Sequence, residues 1–237
     1  MKAINDYSDE RNKGSWVHCG CALLDEESNG DHVPSRTLLL DPYPENLSLI
    51  SVCSTCNQSF SLDEEYLSVF LSVVLSGSVE PNKQVNPEAR RALLHSSALR
   101  ERLEKSRRAV IDDEGVTGLA WEPEIERVTQ VLVKNARGHA LYELGEPMLD
   151  APSDVWFAPL FMLDDKEREA FEGVDNGSLY PEVGSRLLSR VVMGHDLSNG
   201  WIIVQPNVYR FAVQYLGGTE IWMVLHEYLA ARVSWDV

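Results

Sequence analysis

The sequence predicts an α+β protein with three parts: a small N-terminal module of short strands, a helical middle region and a C-terminal antiparallel sheet. The middle region carries apolar residues at helical spacing, whereas the C-terminal region alternates with a period of two. All four cysteines fall within the first 56 residues. These changes in pattern divide the chain into an arm (1–14), a cysteine-containing module (15–80), a helical region (81–150) and an α+β region (151–237).

Length and composition indicate a packed globular chain. Its 237 residues are 44% hydrophobic, which is enough to bury a core. Residues 1–12 are polar and contain no apolar segment, and the longest apolar stretch, 66–75, is much shorter than a bilayer span. We therefore expect neither export nor a membrane partner, with the cytoplasm as the default compartment, and we assign the flexible arm 1–14 no chemistry.

The charge distribution bears on nucleic-acid binding. A net charge of −16 disfavours contact with a polyanion, because phosphates are usually neutralised by Lys and Arg. Segment 83–108 is basic, with eight Lys/Arg against three Glu. It is either a phosphate-contacting surface or a solvated helix face paired with Glu101 and Glu104. The candidate nucleic-acid contacts are Arg36, Arg90, Arg91, Arg100 and Arg102.

The first half of the chain predicts two strands and then helices. Apolar runs at 37–40 and 47–52, separated by turn-forming stretches at 27–31 and 41–45, predict two short strands joined by a loop. Ser61 and Glu64 have the spacing of a capping box, so a helix is expected to begin near Leu62. Residues 87–110 are helical in pattern with a break near Ser96.

The second half predicts further helices and a sheet. Residues 122–144 predict a long amphipathic helix that ends at Gly145, and residues 164–171 predict a shorter one. Alternation over 209–215, the Gly217-Gly218 pair and apolar segments at 221–225 and 228–235 predict an antiparallel hairpin or meander.

The four cysteines form two close pairs, Cys19 with Cys21 and Cys53 with Cys56. In a chain without an export signal, this clustering favours a metal site over disulfides, since cytosolic thiols stay reduced and thiolates bind zinc well. The alternative is that they are small buried apolar residues.

A constellation around His32 points to phosphodiester chemistry. Hydrolysis needs a base that activates water, and a neutral imidazole can accept that proton, so His32 is the candidate base. A divalent cation must also stabilise the developing charge, and Asp31 and Asn57 offer the oxygen ligands that Mg²⁺ prefers. Asn46 would brace the loop and orient the base. The alternative is that His32 is a solvated loop residue and that Asp31 and Asn57 are turn and cap residues.

In their order, these residues resemble the HNH endonuclease family, whose pattern is a Cys pair, an Asp-His, an Asn-Leu and a second Cys-x-x-Cys followed by His or Asn. The resemblance covers residues 15–66, about a fifth of the chain. A bacterial group of HNH-like proteins has similar strings to those at 31–36, 42–47 and 60–66, and also to Glu227-Tyr228-Leu229-Ala230 and Trp235.

The resemblance implies a ββα-metal fold, a His general base, one catalytic Mg²⁺ or Mn²⁺ and a structural zinc bound by four cysteines. Two departures matter. Aligning the first Cys pair of the family on Gly20 puts Trp16 where a Cys belongs, so Cys21 or His18 would complete the zinc site. The second metal-binding His or Lys after position 57 is missing, and Asp63, Glu64 or Glu65 could replace it. For Glu64 the competing interpretation is the capping box.

We therefore expect a metal-dependent endonuclease that acts on DNA rather than RNA, with a protein partner to support weak binding. Defence against foreign DNA is the setting that the resemblance implies for a bacterial protein. There are two alternatives: an inactive zinc-stapled binding module, and a structural subunit of a larger complex.

Overall fold

The computed structural model describes residues 14–22, 28–111, 117–174, 181, 185–193, 197–215 and 217–236. Residues 1–13 of the predicted arm lie outside these ranges. The chain forms two compact units, Met1–Phe60 with Leu132–Val237 and Ser61–Val131. Helices and antiparallel sheets are both present, which confirms the α+β class. Within the described ranges, no helix is long and apolar enough to span a bilayer.

An antiparallel hairpin opens the first unit. Strand β1 (Ser28–Val33) pairs with β2 (Ser48–Cys53), so that Asp31 lies opposite Ile50. The prediction of a second strand at 47–52 is confirmed, but the first strand was placed wrongly at 37–40. That stretch instead contains a 3₁₀ turn, Arg36–Leu38, with Leu38 and Leu39 buried. Strand β1 is polar and forms because it pairs with β2. Its own composition does not predict a strand.

Helix α1 (Ser54–Ser76) follows β2 directly and completes a ββα order. The predicted start near Leu62 is wrong by about two turns. Ser61 is therefore inside the helix and caps nothing at its start, and Glu64 is a buried helical residue. The first two turns are polar, so they lack the apolar spacing on which the prediction relied.

Two short helices and a hairpin follow in the second unit. Helices α2 (Pro87–His95) and α3 (Ser97–Lys105) confirm the predicted helical segment and its break. Asn86 caps α2 and Ser96 caps α3 with their side-chain oxygens. The helical prediction is wrong beyond Ser106, where β3 (Arg107–Ile111) pairs with β4 (Thr117–Trp121).

The predicted long helix is confirmed as α4 (Ile125–Leu144), and it ends at Gly145, whose φ of 77° is the left-handed conformation common after helices. Its C-terminal part packs closely on the β1–β2 hairpin. A Cβ added at Gly138 would lie 2.7 Å from a Val33 methyl carbon, so the helix approaches the strand at van der Waals distance only because this residue is glycine. Tyr142, one turn further along, joins Val33 and Ile50 in one apolar cluster.

The rest of the first unit contains a six-stranded antiparallel sheet. Its strands are β5 (Asp154–Pro159), β6 (Leu197–Ser198), β7 (Trp201–Gln205), β8 (Tyr209–Tyr215), β9 (Gly218–Leu225) and β10 (Leu229–Asp236), and their order in the sheet is β5-β10-β9-β8-β7-β6. The predicted meander is confirmed as β8 (Tyr209–Tyr215), β9 (Gly218–Leu225) and β10 (Leu229–Asp236), and the predicted short helix as α5 (Asp165–Glu172). Sequence reasoning did not identify four other elements: β5 (Asp154–Pro159), α6 (Arg186–Met193), β6 (Leu197–Ser198) and β7 (Trp201–Gln205).

Candidate metal centre and the surroundings of His32

A tight loop presents the first cysteine. Residues 15–22 turn back on themselves, because the Trp16 backbone N–H donates to the Cys21 carbonyl at 2.9 Å and the Gly20 N–H donates to the Trp16 carbonyl at 2.8 Å. Gly20 has a φ of 69°, a conformation that glycine adopts without a Cβ clash. This turn places Cys19 at the tip of the loop.

The other pair lies at the junction between strand and helix. Cys53 is the last residue of β2, and Cys56 lies in the first turn of α1, three positions later and on the same side of the chain. The thiol sulfurs of Cys19, Cys53 and Cys56 all lie within 4.8 Å of one another. No other group of three or more His, Cys, Asp or Glu side chains in the described part of the chain meets that limit. These three residues could hold a metal ion.

The thiols of Cys19 and Cys56 differ in how readily they lose a proton. Burial, together with the neighbouring Cys19 and Cys53 thiols, raises the pKa of Cys56 to about 12. Burial also raises the pKa of Cys19, but hydrogen bonds from Cys21 and the other thiols outweigh it and leave that pKa below its usual value. Cys19 therefore ionises before Cys56, and a bound cation would have to displace the proton of Cys56.

Cys21 and His18, the two residues proposed to complete the site, have different positions. Cys21 is exposed and lies outside the group of three, with its sulfur 4.0 Å from the carbonyl oxygen of Cys19. The imidazole of His18 is buried, with its edge towards the Phe60 ring at a centroid distance of 5.2 Å. His18 also lies outside the group of three, and its Nε2 is 3.9 Å from a carboxylate oxygen of Asp31.

Asp31 lies in a buried ion pair. The ammonium of Lys134 on α4 contacts both carboxylate oxygens, at 2.9 and 3.1 Å, and the side chain of Lys134 is only 2% exposed. The same ammonium donates to the Ser35 hydroxyl at 3.2 Å, while the Ser35 N–H donates to Asn135 at 2.8 Å. The three N–H donors of Lys134 are therefore matched by three oxygens.

The electrostatics of this pocket agree with its geometry. Burial raises the pKa of Asp31, but the His18 imidazole and the charge of Lys134 outweigh that effect and hold the pKa below its ordinary value. Burial lowers the pKa of His18, against the opposing pull of Asp31. At neutral pH the Asp31 side chain is therefore a carboxylate and the His18 imidazole is neutral.

His32 points to the other side of β1. Successive strand residues face opposite sides of a sheet, and β1 follows this rule: Asp31 and Val33 are buried while His32 is half-buried. Burial lowers the pKa of His32, and the positive charge of Arg36 lowers it further. Arg36 is exposed and its guanidinium lies 4.5 Å from the centre of the Tyr43 ring. The structure thus keeps His32 neutral, with a cation nearby.

The remaining predicted site residues lie in the loop before β2 and on α1. Asn46 is exposed in the loop before β2, and Asn57 is half-buried in the first turn of α1. In the second unit, Glu64 is buried and Glu65 exposed, while Asp63 lies 3.4 Å from Arg127. In the described part of the chain, none of these carboxylates belongs to a cluster of three or more possible metal ligands such as the cysteines form.

Several cations of the basic segment are engaged with acceptors. Arg91 pairs with Glu88 at 2.8 Å and Arg102 pairs with Glu124 at 3.0 Å. Arg90 donates to the Gln84 carbonyl, whereas Arg100 is exposed on α3. The pairing with Glu101 and Glu104 expected from the sequence is present, through Lys105 and Arg107. These contacts favour the interpretation as a solvated helix face.

Sequence reasoning missed Lys134. A signal was available, because Lys134 and Asn135 interrupt the apolar face that Val131, Gly138 and Tyr142 share at helical spacing. A buried lysine needs a counter-charge, so its presence there indicates an acidic partner.

Comparisons with protein-family models, with curated proteins and with solved structures give no match to this chain. The functional interpretation therefore depends on the residues and their geometry.

Proposed function

We propose that residues 15–66 form a zinc-stabilised ββα module of the HNH type that hydrolyses phosphodiester bonds in nucleic acid, DNA rather than RNA, with His32 as the general base. One observation carries this proposal: a histidine on the first strand of a ββα unit whose strand–helix junction bears a cysteine cluster.

Zinc fits the cysteine cluster. A tetrahedral zinc with Zn–S bonds of about 2.3 Å places its sulfurs roughly 3.8 Å apart, which is compatible with three sulfurs within 4.8 Å of one another. Cys19, Cys53 and Cys56 would bind the ion, and Cys21, next to Cys19, would complete the set after a small loop movement. The ion would tie the loop 15–22 to the junction between β2 and α1 and so stabilise the module.

In the reaction, the imidazole of His32 would accept a proton from water as the oxygen attacks phosphorus; the bond to the leaving oxygen would break, and that oxygen would leave as an alcohol after taking a proton from solvent water. Since its pKa is lowered, His32 is already unprotonated at neutral pH. Arg36, exposed and close enough to influence that pKa, would contact the negatively charged phosphate. A catalytic divalent ion on Asp31 does not fit this structure, because Lys134 contacts both oxygens of that carboxylate.

The same ion pair favours a second candidate function, a zinc-stapled module that binds nucleic acid or a protein partner without cleaving anything. A net charge of −16 and the engaged arginines of the basic segment also support it.

The test compares zinc-loaded wild type with His32→Ala and His95→Ala on DNA and RNA substrates, with and without added Mg²⁺ or Mn²⁺. His95 is an exposed histidine on α2 and serves as the matched control. Cleavage by wild type and His95→Ala, but not by a zinc-loaded His32→Ala, is the expected result. If wild type cleaves neither substrate, nucleic-acid binding measured by fluorescence anisotropy at several salt concentrations becomes the test of the second candidate.

A further inference from the structure

The buried pocket around Asp31 differs from an ordinary surface salt bridge. Asp31, Ser35 and Asn135 are each less than a tenth exposed, and the ammonium of Lys134 is within 3.2 Å of both Asp31 oxygens and the Ser35 hydroxyl. Its Nζ also lies 5.6 Å from the centre of the Phe60 ring. A cation of the protein itself is therefore coordinated by oxygens at the position where the HNH pattern expects a metal ion.

We infer that Lys134 is the resident cation of the Asp31 site and takes the place of the divalent metal ion there. The inference rests on the proposed function in so far as the HNH pattern assigns Asp31 to a metal. The inference differs from that pattern because Asp31 pairs with the ammonium of Lys134 and not with a metal ion. Lys134, on α4, is then a positioning residue.

The charges around Asp31 oppose a second cation at this carboxylate. The pair Asp31–Lys134 is already neutral, so a divalent ion would face the ammonium in a desolvated pocket with no further negative charge to offset it. The imidazole of His18 lies 3.9 Å from the same carboxylate and brings no negative charge, and the guanidinium of Arg137, which acts on His18, adds positive charge. The elements packed around the pocket thus supply no additional carboxylate among the contacts of Asp31.

The pair also determines which way His32 faces. Gly138 lets α4 approach β1, and Lys134, one turn earlier on the same helix face, fixes Asp31 on the helix side of the strand. Because strand residues alternate, His32 then projects from the opposite side. Lys134 therefore positions the proposed base through the backbone of β1 and does not touch the substrate.

The experiment follows Mn²⁺ binding and does not depend on cleavage. Mn²⁺ is titrated into ¹⁵N-labelled, zinc-loaded wild type, and paramagnetic broadening of the amide signals of β1 is compared with that of exposed acidic segments. The same titration is applied to Lys134→Gln, to Asp31→Asn and to the double variant Lys134→Gln/Asp31→Asn. Zinc content and circular dichroism verify that each variant is folded.

We expect no selective broadening of β1 in wild type. In Lys134→Gln we expect β1 to broaden at Mn²⁺ concentrations lower by about tenfold or more, the size of effect that one neighbouring charge has on a carboxylate, and we expect the double variant to lose this response. Selective broadening in wild type that Asp31→Asn abolishes would overturn the inference, as would a folded Lys134→Gln without a new site. If Lys134→Gln does not fold, the wild-type titration decides. Failure of the nuclease assay leaves this measurement unaffected, so the two proposals can fail separately.

Discussion

The packing of α4 on the β1–β2 hairpin can be tested with a double-mutant cycle on Gly138 and Val33. In Gly138→Ala, the new methyl carbon would lie 2.7 and 3.0 Å from the two Val33 methyl carbons, whereas carbon atoms normally approach to about 3.5–4.0 Å. Helix and strand must therefore separate by roughly 1 Å. Such overpacking typically lowers the free energy of unfolding by about 1–3 kcal/mol, and the higher helix propensity of alanine offsets about 1 kcal/mol of that loss. We expect a net loss of up to about 2 kcal/mol.

The control uses the partner side chain. Val33→Ala alone removes two buried methyl groups and should cost about 2 kcal/mol. In the double variant the alanine methyl at 138 occupies the space that Val33 vacates, so the two losses should be less than additive by at least about 1 kcal/mol. Urea unfolding of the zinc-loaded proteins, followed by circular dichroism and tryptophan fluorescence, measures each free energy. Additive losses would refute the close approach of α4 to β1.

Three further predictions follow from the site and the core. Cys56→Ser should reduce bound zinc to near zero, whereas Cys21→Ser should weaken binding less because Cys21 lies outside the group of three sulfurs; zinc content after dialysis checks this. Burial lowers the pKa of His139 to about 3. Below about pH 6.5 the unfolded chain therefore binds a proton that the folded chain does not, so the free energy of unfolding decreases as the pH is lowered. This residue should account for about 2 kcal/mol of the loss between pH 7 and 5, a loss that His139→Gln should lack in pH-dependent unfolding. Finally, Arg36→Gln should raise the pKa of His32 measured by NMR titration, because a nearby positive charge is removed; an unchanged or lower pKa would contradict the placement of Arg36.

The sequence predicted the elements whose pattern is local. The meander β8–β10 is visible because its segments are rich in aromatic and β-branched residues and the Gly217-Gly218 pair marks the first turn; α5 is visible because Asp164 and Glu167 form a capping box. Helix α4 is visible because its apolar face spans five turns before Gly145.

The misplaced elements have patterns that depend on partners elsewhere in the chain. Strand β1 is polar over its first residues and contains Gly30, so it is a strand because β2 pairs with it. The first turns of α1 carry the cysteine and asparagine side chains of the site and therefore lack apolar periodicity. The ion pair between Asp31 and Lys134 joins residues 103 positions apart, a distance over which no local pattern carries information.

The placement of His32 and Asp31 on opposite sides of one strand changes what a catalytic centre here can be. A centre in which both side chains face one metal ion requires β1 to be irregular at these two positions, yet β1 pairs in continuous register with β2 from Ser28 to Val33. In the proposed reaction, the side of the hairpin that faces the substrate is consequently the one that carries His32, with Arg36 as its nearby cation. The opposite side, with Asp31 and Lys134, is closed by α4 through the contact at Gly138. Chemistry on the His32 side therefore depends on the buried pair only through the shape that the pair gives to β1, which is why substitutions at Lys134 and at His32 should affect different measurements.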